Sequence, residues 1–96
     1  MNTTLGIVAT NATLTKTQAT RVAQIAHDGF ARAIVPVHTA SDGDAIFALA
    51  TGSAAGTVDA DLVGWAAAEA IAQAIVRAAR AATSIPGYPA ARDLHR

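Results

Sequence analysis

A threonine near the start of the chain has the residue type and setting of a nucleophile. Asn2-Thr3-Thr4 leads directly into the apolar segment Leu5 to Thr10. A threonine hydroxyl reacts poorly at neutral pH, but a free α-amine on the same residue, with an ordinary pKa of about 7.7 to 8, can take its proton. The amine of Thr3 is held in a peptide bond to Asn2, so this chemistry first requires cleavage of the Asn2-Thr3 bond. Threonine is also common in strands for reasons unrelated to catalysis.

A second candidate set lies in the loop from Pro36 to Asp44, where polar side chains are densest. Asp42 and Asp44 stand on either side of Gly43, which allows a tight turn in which both carboxylates converge or one of them caps a backbone amide. Asp-Gly is also a common turn signal before a strand. From spacing alone, the turn-forming role is the favoured interpretation.

The histidines do not form a metal-binding pattern. His27 and His38 fall on different predicted elements, His95 lies near the end of the chain, and no helical His-x-x-x-His or Glu-x-x-His pair is present. We expect a structural hydrogen-bonding role for His27, and we assign no catalytic role to His38, although the polar loop could turn it towards a cleft. With no cysteine, the chain has no thiolate ligand either. We predict no metal and no cofactor.

Composition indicates a protein that binds other protein. Hydrophobic residues make up 52% of the 96, only 15% are charged, and seven basic residues balance seven acidic ones. A small domain with so few charges leaves apolar surface uncovered, so we interpret the excess as a buried subunit interface. Zero net charge and the lack of a basic cluster argue against nucleic acid as a partner.

The alanine-rich stretch at about 62–82 is long enough to be mistaken for a membrane span. Glu69, Gln73, Arg77 and Arg80 interrupt it, so we predict no membrane segment. No secretory signal is visible at the amino end. The expectation is a soluble cytoplasmic protein.

Two elements are predicted before the polar loop. Leu5 to Thr10 lacks polar alternation and suits a strand covered on both faces, with Gly6 marking a close approach. Thr15 and Gln18 have the spacing of a capping box, which begins a helix that must end before Pro36. The predicted buried face of this helix comprises Val22, Ile25, Ala26, Gly29, Phe30 and Ala33.

Two further elements follow the loop. Ala45 to Thr51 is predicted to be a strand, and the stretch at about 58–82 a helix with capping acids at its start. Phe47 and Trp65 are predicted to be core or interface residues, and the end from Arg92 to Arg96 is predicted to be frayed.

The predicted class is α+β, in the order strand, helix, strand, helix. Two strands do not make an independently stable sheet, since about three with a covered face are needed. We therefore treat 1–96 as a single partial domain, with a core at 3–83 and a tail at 84–96.

Four blocks of the sequence, taken in order, resemble one known family. The blocks are Asn2 to Ala12, Ala26 to Ile34, Pro36 to Thr39 and Asp42 to Gly52. They resemble the C-terminal, β-subunit part of the DmpA-like aminopeptidases, most of all the branch of the 6-aminohexanoate-oligomer endohydrolase, or nylon hydrolase. The resemblance covers the chain from Asn2 to about Ala82.

The resemblance implies a self-cleaving amide hydrolase. Such proteins are made as a precursor, cut themselves before a Ser or Thr, and keep both parts together as an α/β heterodimer with a four-layer αββα fold. Residue by residue, it implies cleavage between Asn2 and Thr3, Thr3 as the nucleophile, and Asp42 and Asp44 as the groups that orient it. It also implies an α-subunit, or N-terminal part of the same precursor, that supplies a lysine and an asparagine of the site.

Further expectations concern assembly and substrate. The heterodimer is expected to form a higher homo-oligomer and to act on small peptides, amino-acid amides or esters, or aminohexanoate oligomers. Because the chain begins at Met1 without an α-part, we also weigh a non-catalytic truncated relic or a small apolar subunit-association protein. A mass loss equal to Met1 plus Asn2 would separate the two classes.

Overall fold

Two strands and two long helices make up residues 2–94, the part of the chain that the computed structural model describes. In chain order, β1 spans Leu5–Thr10, α1 Lys16–Ala33, β2 Ala45–Ala50 and α2 Ala60–Ala81, and a short 3-10 turn follows at Ala91–Asp93. The predicted α+β class and the order of its elements are confirmed. The four-layer sandwich stays a prediction.

The two strands are parallel and are joined by α1. Their register pairs Leu5 with Ala45 at one end and Thr10 with Ala50 at the other. Parallel neighbours require a crossover of this kind, because a tight hairpin cannot reverse the chain twice. The pairing continues before both strands, where Asn2 lies opposite Asp42. The first residues of the chain are thereby held beside the acidic loop.

Helix α1 begins and ends where its sequence predicts. The Thr15 hydroxyl accepts a hydrogen bond from the Gln18 N–H at 3.1 Å, and the Gln18 side chain accepts one from the Thr15 N–H at 2.9 Å, which completes a capping box. The helix stops at Ala33, and Ile34 is already extended before Pro36. Its buried residues are Val22, Ala26, Gly29 and Phe30.

Helix α2 packs closely along α1 through small residues. Asp59 caps its start by accepting a hydrogen bond from the Asp61 N–H at 2.9 Å. A Cβ on Gly29 of α1 would overlap the backbone oxygen of Ala68, and a Cβ on Gly64 would lie 2.7 Å from the Ile25 Cδ1. The helices therefore touch at a distance that larger side chains would prevent.

Gly6 marks the close approach that its place in β1 predicts. A Cβ there would lie 3.2 Å from the Ile71 Cδ1 and 3.3 Å from both the Ile46 Cγ1 and the Phe30 Cζ. These three side chains come from α2, β2 and α1. Because all of them converge on Gly6, its missing side chain lets both helices settle on the sheet.

Only one face of the sheet is covered by the described residues. Val8 and Ile46 pack on the core, whereas the opposite face exposes four large apolar side chains. These are Leu5, Ile7, Phe47 and Leu49, which are 68%, 70%, 64% and 50% exposed. Residues 2–94 cover β1 on one face only, because both helices pack on the same side, and coverage of its second face stays a prediction. Phe47 and Trp65 are exposed and not core residues, so the interface interpretation is the one that remains for them.

The tail is folded back on the end of α2. Arg92 donates hydrogen bonds to the backbone oxygens of Arg80 and Ala81 at 3.3 and 2.8 Å, where the helix leaves carbonyl groups unpaired. The prediction of a frayed end is therefore wrong for Arg92 to Leu94. His95 and Arg96 lie outside the described residues.

Length and apolar composition alone would let α2 cross a membrane. Core helices of soluble proteins meet the same criteria, and four of its residues are buried: Gly64, Ala67, Ala68 and Ile71. One such helix is insufficient evidence for a membrane span.

Candidate active site

The candidate site lies at the start of the two strands, where residues 2–4 run alongside residues 39–44. The Asn2 N–H donates to the Ser41 carbonyl at 3.3 Å, and the Gly43 N–H donates to the Asn2 carbonyl at 2.9 Å. One step further, the Ala45 N–H donates to the Thr4 carbonyl at 3.0 Å. The proposed scissile bond, between Asn2 and Thr3, is thus part of a parallel ladder with the Asp-Gly-Asp loop.

Asp44 fastens this ladder with its side chain. One carboxylate oxygen, Oδ1, accepts a hydrogen bond from the Thr4 N–H at 3.0 Å, across 40 residues of sequence. In a regular parallel ladder that N–H would pair with the carbonyl of Gly43. The other oxygen, Oδ2, lies 2.7 Å from the His38 Nδ1, and the Asp44 side chain is only 4% exposed.

The pKa of Asp44 lies below its ordinary value of 3.8. Partial burial acts to raise the pKa of this carboxyl, but the hydrogen bonds from the Thr4 backbone and from His38 act in the opposite direction and prevail. Asp44 is consequently a carboxylate at neutral pH. It can hold N–H donors in place and does not act as a proton donor.

Asp42 serves the loop itself. Its carboxylate accepts a hydrogen bond from the Thr39 N–H at 2.9 Å, and its own N–H donates to the Thr39 carbonyl at 3.0 Å. These are the contacts of a turn-forming aspartate. They fix the backbone that presents Gly43 to Asn2.

Thr3 is exposed at the edge of this arrangement. Successive side chains of an extended segment alternate in direction, so Thr3 shares a side with Leu5 and Ile7, on the uncovered face of the sheet. Thr4 and Gly6 share the side of the helices. Within residues 2–94, no hydrogen bond joins the Thr3 hydroxyl to Asp42 or Asp44. The direct orienting contact implied by the resemblance stays a prediction, and the link that the structure contains runs through the Thr4 backbone.

His38 belongs to the site, although sequence reasoning assigned it no role. Its backbone has a positive φ of 57°, a conformation that non-glycine residues adopt rarely. Its ring lies 5.0 Å from the ring of His27 and 6.0 Å from that of Phe30, measured between centroids. His27 in turn meets Phe30 edge-on at 5.3 Å, so its described ring contacts are aromatic ones. A signal was present in the sequence, since His38 stands six residues before Asp44 in the polar loop.

An apolar cavity of about 440 Å³ opens beside β1, next to Thr4. Residues of both helices contribute to its lining, among them Phe30, Ile71 and Ile75, and Ile34, just after α1, lines it as well. Four consecutive residues, Thr4 to Ile7, complete its lining, so the cavity follows the free edge of β1.

Comparison with known proteins supports the assignment that the motifs suggested. The family model described as peptidase family S58 matches residues 1–92. The chain is 46% identical over 102 residues to an uncharacterized aminopeptidase of Mycobacterium leprae. This alignment covers 93% of the chain and 28% of that relative. It is 40% identical over 106 residues to uncharacterized aminopeptidases of Mycobacterium tuberculosis and Mycobacterium bovis, with 97% of the chain and 31% of each relative covered.

The extent of these matches bears on the tail and on the size of the whole protein. The family match continues past Ala82 into the tail, further than the four blocks predicted. The chain spans less than a third of the length of the curated relatives that it matches. Membership of the nylon-hydrolase branch stays a prediction. The match over nearly its full length shows that this chain belongs to peptidase family S58, the DmpA family.

Proposed function

We propose that this chain is the nucleophile-bearing part of a self-cleaving amide hydrolase, with Thr3 as the nucleophile. The observation that carries the proposal is the ladder between residues 2–4 and 41–45, which places the Asn2-Thr3 bond at an exposed edge with its carbonyl already hydrogen-bonded. Membership of a peptidase family and the aminopeptidase names of the relatives support amide hydrolysis as the reaction class.

The first reaction is cleavage of the chain by its own threonine. The Thr3 Oγ attacks the carbonyl carbon of Asn2, and the C–N bond breaks as the Thr3 nitrogen takes up the hydroxyl proton. The product is an ester of the Asn2 acyl group on the Thr3 Oγ. Water then hydrolyses this ester and leaves Thr3 with a free amine and a free hydroxyl.

The second reaction uses the amine that the first one releases. The Thr3 amine accepts the proton of the Thr3 hydroxyl, which attacks the carbonyl of an amide substrate. The leaving amine departs with a proton, and water hydrolyses the acyl-enzyme. The substrate is a small peptide or amide, in keeping with the aminopeptidase names of the relatives.

The two aspartates act as positioning residues in this scheme. Asp44 holds the N–H of Thr4, so it sets the direction of the backbone that bears Thr3. Asp42 sets the loop against which Asn2 is paired. The Asp-Gly-Asp spacing therefore has a reason in the ladder itself, since one carboxylate closes the loop and the other ties the loop to the first strand.

The rest of the protein is proposed to lie on the uncovered sheet face. Thr3 shares that face with Leu5, Ile7, Phe47 and Leu49, and the relatives are more than three times as long as the matched region. An α-part that covers these side chains would complete a four-layer αββα arrangement and place the substrate cleft between the layers, above Thr3. The assembled unit would be an α/β heterodimer, with a higher oligomer of it as a further expectation.

Mass analysis of the complete precursor tests the proposal. We expect two fragments whose masses place the cut between Asn2 and Thr3, and a Thr3 α-amine that amine-directed labelling detects. An intact precursor that nevertheless hydrolyses amides would contradict Thr3 as the nucleophile.

A second candidate is a subunit-association protein without activity, and the exposed apolar face is the observation that favours it. Such a protein would bind the α-part without losing residues 1–2. Co-expression followed by mass measurement separates the candidates, because only the hydrolase is cut.

A further inference from the structure

The carbonyl oxygen next to the proposed scissile bond already has a backbone hydrogen-bond donor. The carbonyl oxygen of Asn2 accepts a hydrogen bond from the Gly43 N–H at 2.9 Å. Attack on this carbonyl moves an electron pair onto the same oxygen, which becomes an oxyanion. Backbone N–H groups at about 2.7 to 3.1 Å from the position that the oxyanion will occupy are its usual stabilisers. The contact with Gly43 is made to the carbonyl oxygen before the reaction, so the inference is that this donor follows the oxygen into the transition state.

We propose that the Gly43 N–H is an oxyanion-hole donor, first for self-cleavage and afterwards for hydrolysis of the substrate. The inference rests on the proposed function, because it requires Thr3 to attack Asn2. It goes beyond that function by naming the atom that stabilises the transition state. A backbone donor is suited to this task because its direction is fixed before the reaction begins.

The electron and proton balance of the first step is simple. The new C–O bond uses a lone pair of the Thr3 Oγ, and the π pair of the Asn2 carbonyl moves to its oxygen, opposite Gly43. When the C–N bond breaks, that pair re-forms the carbonyl and the Thr3 nitrogen receives the proton from Oγ. The Gly43 N–H gives up no proton at any stage.

The same donor can serve the second reaction because the two intermediates have the same form. Both are esters on the Thr3 Oγ, with either the Asn2 acyl group or the substrate acyl group attached. Once Asn2 has been hydrolysed from Oγ, the Gly43 N–H has lost its acceptor. The carbonyl oxygen of a substrate that is attacked by the same Oγ falls where the Asn2 oxygen was.

The surrounding loop holds the donor rigidly. The turn between Thr39 and Asp42 fixes the backbone on one side of Gly43, and the contact from Asp44 to Thr4 fixes it on the other. This assigns the aspartates a shared purpose, since both keep Gly43 against the reacting carbonyl.

The competing explanation is that the Gly43 contact is only one more rung of the ladder. A matched pair of backbone changes separates the two explanations. Replacing residue 43 by glycolic acid during cell-free translation of the complete precursor turns the amide between residues 42 and 43 into an ester, which removes the N–H and weakens the Asp42 carbonyl as an acceptor. Replacing Ala45 by lactic acid removes the neighbouring rung, whose N–H donates to the Thr4 carbonyl at 3.0 Å and touches no reacting atom.

We expect the ester at 43 to slow self-cleavage by about 10² to 10³-fold, the usual cost of losing one oxyanion donor. The ester at 45 should slow it only a few-fold. Equal slowing by both would show that the rung stabilises pairing only, and an unchanged rate with the ester at 43 would likewise overturn the inference. Circular dichroism of both precursors, compared with the unmodified one, checks that folding is retained.

A chain that starts at Thr3, assembled with the α-part, tests the second role without any need for self-cleavage. There the ester at 43 should lower kcat for an amide substrate and leave KM within a few-fold, because the donor acts in the transition state. An unchanged kcat would overturn this second role. Cleavage of a Thr3→Ala precursor at Asn2-Thr3 would instead refute the proposed function, so the two failures are distinguishable.

Discussion

The two faces of the small sheet differ in how far the described residues cover them. The helix side is closed: Val8 and Ile46 pack on the core, and Asp44 is nearly buried with both carboxylate oxygens engaged. The other side exposes large apolar side chains together with Thr3. Asp44, which supports the site, and Thr3, the proposed nucleophile, therefore lie on opposite faces of the sheet. Under the proposed function, the described residues would hold the site from the helix side, and the reaction would take place on the face that the α-part covers.

The sharpest test of this division between the two faces replaces each of the adjacent threonines by alanine in turn. In the complete precursor, Thr3→Ala should abolish self-cleavage and amide hydrolysis, because the attacking hydroxyl is lost. Thr4→Ala should retain much of both, since the structure uses the backbone of Thr4 and that backbone is unchanged. Mass spectrometry and an amide hydrolysis assay measure the two activities. Thr3→Ser should keep part of both activities, because the hydroxyl is retained. A fully active Thr3→Ala variant would show that Thr3 is not the nucleophile and that the reaction does not take place on its face of the sheet.

The two aspartates should differ in the size of their effect. Asp44→Asn removes the charge that holds the Thr4 N–H and His38, and hydrogen bonds to charged groups contribute about 1.5 to 3 kcal/mol, so we expect kcat to fall about 10 to 100-fold. Asp42→Asn should lower kcat only a few-fold, because asparagine can accept the Thr39 N–H in the same turn.

The assay for the aspartates follows kcat and KM together with the melting temperature of each variant. A positioning role predicts that kcat falls at temperatures where both variants are still folded, and the melting temperature should fall in Asp44→Asn only, because the ionised Asp44 carboxylate also stabilises the fold. Equal losses of kcat at 42 and 44 would show that the two carboxylates do not divide the work as their contacts indicate.

The uncovered face predicts how the chain behaves without a partner. Expressed alone, it should self-associate and show no amidase activity, because its apolar face and strand edges remain exposed. Stable partners usually bury about 1,200 to 2,000 Å² in total, which the α-part is expected to provide. Light scattering should show species larger than a monomer.

A paired substitution locates this association on the sheet. Ile7→Thr with Phe47→Thr keeps residues that favour strands and removes apolar area from the open face, so it should reduce association. The same change at exposed Leu62 and Trp65 of α2 is the control. If only the α2 variant becomes monomeric, the chain does not self-associate through the open face of the sheet.

The smallest expected effect concerns the titration of Asp44. Its pKa is lowered in the folded chain, so its ion contacts stabilise the fold fully above the ordinary value of 3.8 and lose that contribution as pH falls through the lower folded pKa. A ¹³C NMR titration of the carboxyl should show a midpoint below 3.8 in the complete protein. His38→Gly, which tolerates the positive φ but lacks the imidazole, should move that midpoint upward. No movement would remove His38 from the causes of the shift.

Local patterns in the sequence predicted the elements well. Thr15 and Gln18 marked the start of α1, Pro36 marked its end, and the apolar run from Leu5 to Thr10 coincides with β1. Each of these signals depends on contacts within a few residues, which is why a single sequence reveals them.

Contacts across the chain were harder to predict. The partner of Asp44 is a backbone N–H 40 residues away, and it follows from the parallel register and not from any local pattern. Coverage of β1 was predicted on both faces, because a continuous apolar run does not reveal whether the second cover belongs to the same chain. The ring of His38 and the N–H of Gly43 were missed for a related reason. Their roles depend on which backbone lies opposite.

The hold on Thr4 has a consequence for activation. Its N–H is bound by Asp44 and its carbonyl by Ala45, and neither contact involves Asn2. When the bond between Asn2 and Thr3 is cut, the hydrogen bonds of Thr4 would therefore still hold the backbone next to the new amino terminus in place. Many proenzymes must rearrange after cleavage to build a working site. In this protein the site would already have its mature conformation, so that activation would require only the release of Asn2 from beside Gly43.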